Sequence, residues 1–232
     1  GLTRSLRQKI GTIQIDPQHS ETNAITILSS PVINATILPR VLPLLHKRIP
    51  HVSVRVFEIA PEDIIDAHLK NPSSILILSV PQPELTKMLK DKPTSLDFYE
   101  LFRCPILCAI SSVSPFYERK VVSFEEFNRS PLVIYHNEDR LLDHLSLPYD
   151  PQGILMHSCS LPLCRTMLAQ SPNAVGFSNE LVEHYFKSSS LTTIPLEPAY
   201  DLIYGYFLMP QCAENAAYQE LVRIMEAEIQ KI

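Results

Sequence analysis

The chain has 232 residues, 45% of them hydrophobic and 19% charged, with a formal net charge of −5. That balance suits a globular α/β unit or two small lobes with a buried core, and it excludes disordered and fibrous classes. The 20 Lys and Arg are scattered along the chain, which argues against a domain that grips nucleic acid by itself, and no run of about eighteen apolar residues is present to span a membrane.

The first residues, from Gly1 to Arg4, carry neither an initiator Met nor the apolar core of a secretory signal. Leu2, Leu6 and Ile10 fall at helical spacing ahead of Gly11. Residues 1–22 are therefore expected to be the end of a linker helix and a polar connector. Residues 25–28 form an apolar strand that Ser29, Ser30 and Pro31 break. Leu38, Val41, Leu42, Leu45 and Ile49 make a helical stripe. Pro43 lies inside it and calls for a kink or a later start, since an interior proline costs roughly 3 kcal/mol. Residues 51–59 alternate Val52, Val54 and Val56 with polar neighbours, the pattern of a strand. Pro61, Glu62 and Asp63 open a helix through Lys70. Residues 74–78 are apolar throughout, as expected for a parallel strand covered on both faces. Together these elements make a βαβαβ unit with right-handed crossovers.

The second half repeats the alternation with shorter elements. Residues 103–110 read as one long apolar strand, and 124–127 as a helical turn. Residues 132–135, 154–156 and 174–177 read as strands. Helices are expected at about 160–170 and 179–186, the latter capped by Ser178 or Asn179. Residues 200–209 return as a strand. Residues 214–232 close the chain as a helix with Leu221, Met225, Ile229 and Ile232 on one face.

In open α/β lobes ligands sit beyond the carboxyl ends of the parallel strands, where loops and helix N-termini present free amides. That rule selects Ser29, Ser30, Ala60 and Ser79 in the first lobe, and Tyr135, His136, Ser158, Ser160, Phe177 and Ser178 in the second. Ser30 is the best placed to meet a carboxylate or similar anion. Each serine reads equally as a helix cap or turn, and His136 equally as a surface histidine at a strand end. Cys104 and Cys108 lie four apart on a strand and read as buried structural thiols. Cys159 and Cys164 flank the start of a helix, with His157 close by. No Cys-x-x-Cys pair or further ligand cluster makes a zinc site of them, so no metal is assigned. Five cysteines without framework spacing, together with the abrupt start, point to a cytosolic piece of a longer chain. The five glycines form no Gly-x-Gly-x-x-Gly, P-loop or Gly-x-Ser-x-Gly, and His-Glu-x-x-His is missing too. No catalytic residue is assigned and the chain is read as a non-enzyme.

Several strings stand in a telling order. Ile25-Thr26-Ile27-Leu28-Ser29-Ser30 is followed by Ile37-Leu38-Pro39-Arg40-Val41-Leu42, then by Arg48-Ile49-Pro50-His51-Val52-Ser53-Val54. Val122-Ser123-Phe124-Glu125-Glu126-Phe127 and Pro131-Leu132-Val133-Ile134 come later. From about Ala24 to Met209 this series resembles the effector-binding domain of LysR-type transcriptional regulators. It departs from that family's pattern in three places. Asn71-Pro72-Ser73-Ser74-Ile75-Leu76-Ile77 lacks a Gly and an Asp, Ser114-Pro115-Phe116 stands for His-Pro-Leu, and residues 172–178 keep one Gly and lose a Pro.

The resemblance implies a type 2 periplasmic-binding-protein fold: α/β, two Rossmann-like lobes joined by two crossover strands near residues 96–103 and 198–202. Lobe I would hold residues 23–101 plus 199–232, and lobe II residues 102–198. It further implies a small-molecule effector in the inter-lobe cleft, polar or anionic, to which His136 would supply a donor or a positive charge. It implies a homodimer or tetramer in which the helix near residues 38–49 meets a second-lobe helix of the partner. DNA would be contacted only through a winged helix-turn-helix N-terminal to this region. No cofactor, no membrane contact and a cytoplasmic location follow. Some members of the family sense oxidant through two cysteines in this lobe, and a thiolate at a helix N-terminus has a lowered pKa, so Cys159 and Cys164 carry redox sensing as a second reading. A transport solute-binding protein of the same fold, and a small-molecule lyase or dehydratase on that architecture, stand as the alternatives.

Overall fold

The computed structural model describes residues 24–59, 64–91, 96–136, 139–144 and 149–232. The linker helix and connector expected over residues 1–22, the helix opening at Pro61 to Asp63, and Ala60 lie outside the described residues. In chain order the first elements are β1 (Ala24–Ser29), α1 (Pro31–Thr36), α2 (Leu38–Arg48), β2 (Ser53–Glu58), α3 (Ile64–Lys70), β3 (Ser74–Pro81), α4 (Gln82–Asp91) and β4 (Asp97–Pro105). There follow β5 (Leu107–Ser111), β6 (Val122–Ser123), α5 (Phe124–Arg129), β7 (Leu132–Tyr135), α6 (Asp139–His144), β8 (Ile154–Ser158), α7 (Leu161–Gln170), β9 (Val175–Ser178), α8 (Glu180–Tyr185) and β10 (Leu191–Glu197). The chain closes with β11 (Asp201–Leu208), α9 (Pro210–Ala213) and α10 (Ala216–Ile229).

Two sheets result. The first runs in the order β2-β1-β3-β11-β4, and the second in the order β6-β10-β5-β9-β7-β8. In the first, β1 is parallel to both β2 and β3, as the βαβαβ reading requires, while β11 lies antiparallel between β3 and β4. Ile75, Ile77 and Tyr204 face one apolar cluster of this sheet; Leu76, Leu78, Ile203 and Phe207 face the other. Both faces are therefore covered, which accounts for the unbroken apolar run of β3.

The stripe on α2 begins at Leu38 and runs through Pro43, so the helix does not start later. Pro43 and Pro39 lie on the exposed face, where water can bond the Pro39 carbonyl that loses its amide partner. The long apolar strand expected over residues 103–110 is a correction: it is two strands in two sheets. Pro105 ends the pairing of β4 with β11, and Ile106 donates its amide to the Tyr200 carbonyl at 2.8 Å before β5 joins the second sheet. Hydropathy is continuous across that junction, but Pro105 has no N–H with which to continue a ladder. Strand β10 went unread for a related reason. Pro195 falls inside it, yet the strand pairs on both sides, with β5 and β6.

Helix α10 returns to the first sheet and buries Tyr218, Leu221, Ile224, Met225 and Ile229. Its register is set by Tyr218, whose hydroxyl accepts the Thr26 amide at 3.0 Å and donates to the Ser73 carbonyl at 2.5 Å. Burial pushes that phenol up to about 12, so it stays protonated and able to donate. Gly205 allows β4 and β11 to approach at a bulge, because a Cβ there would stand 2.3 Å from the Phe98 ring and 2.5 Å from the Tyr99 carbonyl oxygen.

The chain passes between the sheets twice, at residues 105–107 and 197–201. The two halves also touch through helices. Leu181 of α8 is fully buried in the core cluster of the first sheet, Val32 and Ala35 of α1 pack on a cluster of the second, and the Arg40 guanidinium lies 5.3 Å from the centre of the Tyr185 ring.

Candidate functional site

The carboxyl ends of β1 and β3 face those of β7 and β9 across a cleft enclosing about 850 Å³, its solvent-open mouth included. From the first half come Ser30, Pro31, Val32, Ser79, Val80, Pro81 and Glu84; from the second come Tyr135, His136, Leu141, Phe177, Ser178 and Asn179. The floor is made by Ile106 of the first crossover segment and by Leu202 and Tyr204 at the start of β11. The lining, mostly apolar with a few polar groups from both halves, is of the kind that small-molecule sites use.

Of the residues selected by the strand-end rule, Ser30, Ser79, Tyr135, His136, Phe177 and Ser178 come together on this cleft. Ser29 is fully buried beneath it and donates its hydroxyl to Asn34 Oδ1 at 2.5 Å. Ser158 and Ser160 serve the start of α7 and do not line the cleft: Ser160 Oγ accepts the Leu163 amide and Ser158 Oγ accepts the Ser160 amide. The sequence reading missed the apolar side chains of the wall and floor, and Glu84. Ile106 and Leu202 were hidden by the strand division at Pro105, and Glu84 sits on a helix whose buried face is only Leu85 and Met88. The two prolines at the strand ends, Pro31 and Pro81, were the available signal.

Most polar groups at the cleft already have partners. Ser30 Oγ accepts the Ser79 amide at 3.2 Å, and the Ser30 amide donates to the Ile77 carbonyl at 3.1 Å. Ser178 donates its hydroxyl to Glu183 Oε1 at 2.5 Å, and Asn179 caps α8 by accepting the Val182 amide. Glu183 is clamped in turn by Arg165, which donates to both carboxylate oxygens at 2.6 and 3.1 Å and to the Phe186 carbonyl at 2.6 Å.

A side-chain hydrogen bond links the two halves at the cleft. His136 follows β7 with φ 54, a left-handed conformation that costs a non-glycine residue roughly 1–2 kcal/mol. Its amide donates to the Ser158 carbonyl, and its own carbonyl accepts from His157 Nε2, so the turn is held from both sides. The ring thereby reaches the first half and donates from Nε2 to Glu58 Oε1 at 3.1 Å. The other oxygen of Glu58 accepts from Asn34 Nδ2 at 3.0 Å, which links this contact to Ser29 and the end of β1. The side chains of His136 and Glu58 are 20% and 45% exposed, so solvent screens the pair and its strength is on the order of 1 kcal/mol at most. It is a contact that a bound molecule or a small shift could break.

The cysteines divide sharply. Burial pushes the thiol of Cys104 up to about 11 and that of Cys108 up to about 12, and raises that of Cys212. Cys164 is buried in α7 with its Sγ directed at the Ile134 and Ser158 carbonyls at 3.6 and 3.8 Å, whereas Cys159 is exposed. Among the described residues no group of three or more His, Cys, Asp or Glu is arranged to hold a metal ion, and no helix is long and apolar enough to cross a membrane.

Residues 18–230 match the family model described as the LysR substrate binding domain. No curated protein matches the chain. Among solved structures, the reduced OxyR regulatory domain from Pseudomonas aeruginosa is similar at 15% identity and a TM-score of 0.66, over 90% of this chain and 100% of that one. An OxyR mutant from Porphyromonas gingivalis shows 15% identity and a TM-score of 0.68, covering 88% of this chain and 92% of the other. The regulatory domain of MetR from N. meningitidis, a LysR family regulator, shows 13% identity and a TM-score of 0.66 over 88% and 93% of the two chains. At these identities the likeness is one of fold.

Proposed function

The chain belongs to the LysR substrate binding domain family and has its type 2 periplasmic-binding-protein fold; we propose that the cleft between its two sheets is the site where a small-molecule effector binds. The observation that carries this reading is the cleft itself, walled by strand ends of both halves and floored by the first crossover segment and the start of β11. A molecule seated there touches every part whose relative position could change. Effector binding shifts the chain between two arrangements only to the extent that it binds one more tightly than the other. The cross-cleft contact of Glu58 with His136 and the chain of bonds from Ser178 through Glu183 to Arg165 are the parts nearest the effector that can carry such a difference.

In this reading the domain works in the cytoplasm as a homodimer or tetramer, with α2 of one copy meeting α7 of another. Leu163 on α7 and Leu155 on the adjoining edge strand β8 are exposed apolar side chains that suit such a contact. DNA is read by a winged helix-turn-helix outside this chain, whose net charge of −5 does not suit it to the phosphate backbone. A thermal-shift screen of a metabolite library tests the proposal, because a cleft ligand stabilises the folded state by mass action. At least one compound should raise the melting temperature and slow hydrogen exchange at residues 30–32, 79–81 and 177–179. Protection confined to other surfaces, or a flat response across a broad library, would count against it.

A further inference from the structure

The residues that line the cleft also define the class of molecule it takes. Resting on the reading of the cleft as the effector site, we infer that the effector is an uncharged, largely apolar molecule, aromatic or branched in shape, and not a small anion. Three observations lead there. The wall is hydrocarbon from both halves, with Val32, Val80, Leu141, Phe177 and Leu202 facing one space. No Lys or Arg is among the described residues lining it, and the one basic ring, His136, already donates to a carboxylate. The Ser178 hydroxyl and the amide oxygen of Asn179 are engaged within the protein, and Ser30 Oγ accepts the Ser79 amide, which leaves its O–H to meet one uncharged polar group of a ligand.

A carboxylate placed here would lose its hydration without gaining a cation, and Glu84 on the rim and Glu58 behind His136 would repel it. An apolar body, by contrast, gains roughly 25 cal/mol for each Å² it removes from water. Ser30, which the strand-end rule marks as an anion-binding hydroxyl, holds the Ser79 backbone in place through its oxygen, and a single hydroxyl does not stand in for a cation.

The test uses a matched pair of probes, 2-naphthylmethanol and 2-naphthoate, which share one apolar body and differ in charge. Their affinities are measured by isothermal titration calorimetry on the chain as it stands and on two variants of half-exposed Val32. Val32→Trp fills the cleft, and Val32→Lys supplies the missing cation; Leu202→Trp replaces the first should it not fold. The expected result is that the alcohol binds at least about tenfold more tightly than the carboxylate, since an unpaired buried charge costs more than that ratio. Val32→Trp abolishes binding, and Val32→Lys brings the carboxylate level with the alcohol. If the carboxylate binds as tightly as the alcohol and Val32→Trp blocks both, the class assigned is wrong while the cleft remains the site. If neither probe binds, or Val32→Trp leaves binding unchanged, the cleft reading itself falls.

Discussion

At the scale of single residues, what decides between a functional and a structural role is whether a side chain still has chemistry to offer after folding. Ser160 and Asn179 spend their oxygens on helix caps, Ser178 gives its hydroxyl to Glu183, and Ser30 spends its oxygen on the Ser79 amide in the wall of the cleft. The sequence shows a hydroxyl or an amide at a strand end, but not which partner claims it, because the partners of Ser30 and Ser178 lie 49 and 5 residues away. The same distinction applies to the cysteines. Cys104 and Cys108 are held as thiols by burial, at about 11 and about 12, so at pH 8 their thiolate fraction is small and their access to reagent is closed. Alkylation of the native protein with iodoacetamide, read by peptide mass spectrometry, should label Cys159 first and Cys164 only after unfolding. Labelling of Cys164 at the rate of Cys159 would instead give the pair of thiols the accessibility that redox sensing needs.

At the scale of elements, helices α7 and α8 depend on one buried polar contact. The Arg165 side chain is 9% exposed and that of Glu183 is 24% exposed. Arg165→Ala leaves the Glu183 carboxylate with the Ser178 hydroxyl but no cation and takes the guanidinium donor from the Phe186 carbonyl, and removing one partner of such a pair costs on the order of 3 kcal/mol. Urea denaturation should show an unfolding free energy lower by that amount, read as a lower midpoint at unchanged slope, and a loss below about 1 kcal/mol would show that water replaces the guanidinium. Elements with strong periodicity were legible before the fold was known: the α2 stripe, the apolar β3 and the alternating β2 all lie where the pattern places them. Helix α4 and strand β10 were not, since Pro83 and Pro195 interrupt their patterns and only tertiary pairing restores them. The division at Pro105 escaped for the opposite reason, because an apolar run carries no mark of which sheet each part joins.

At the scale of the whole molecule, the two halves are joined by more than their crossover strands. Leu181, Val32 and the stacking of Arg40 on Tyr185 keep α1, α2 and α8 in contact on one side of the cleft. Swinging the halves wide apart would expose Leu181, at a cost of about 2 kcal/mol for that side chain alone. Effector binding is therefore expected to adjust the cleft rather than close an open jaw. Small-angle scattering of the chain with and without a thermal-shift hit should give the same radius of gyration within error, and a marked contraction would contradict this. The two-lobed α/β architecture follows from the alternation of strand and helix, and the position of the cleft follows from the strand-end rule. Its apolar character does not, because Ile106 reaches it from a crossover segment and Leu202 and Tyr204 from β11, parts that only the folded chain brings together.

A small molecule bound between the halves touches methyl groups of both, so methyl-resolved NMR during titration with a thermal-shift hit locates it. The methyl signals of Val32, Val80, Ile106, Leu141 and Leu202 should shift first and together, tracking a single binding curve. Shifts confined to methyls remote from the cleft, such as those of Leu89 or Leu155, would contradict it.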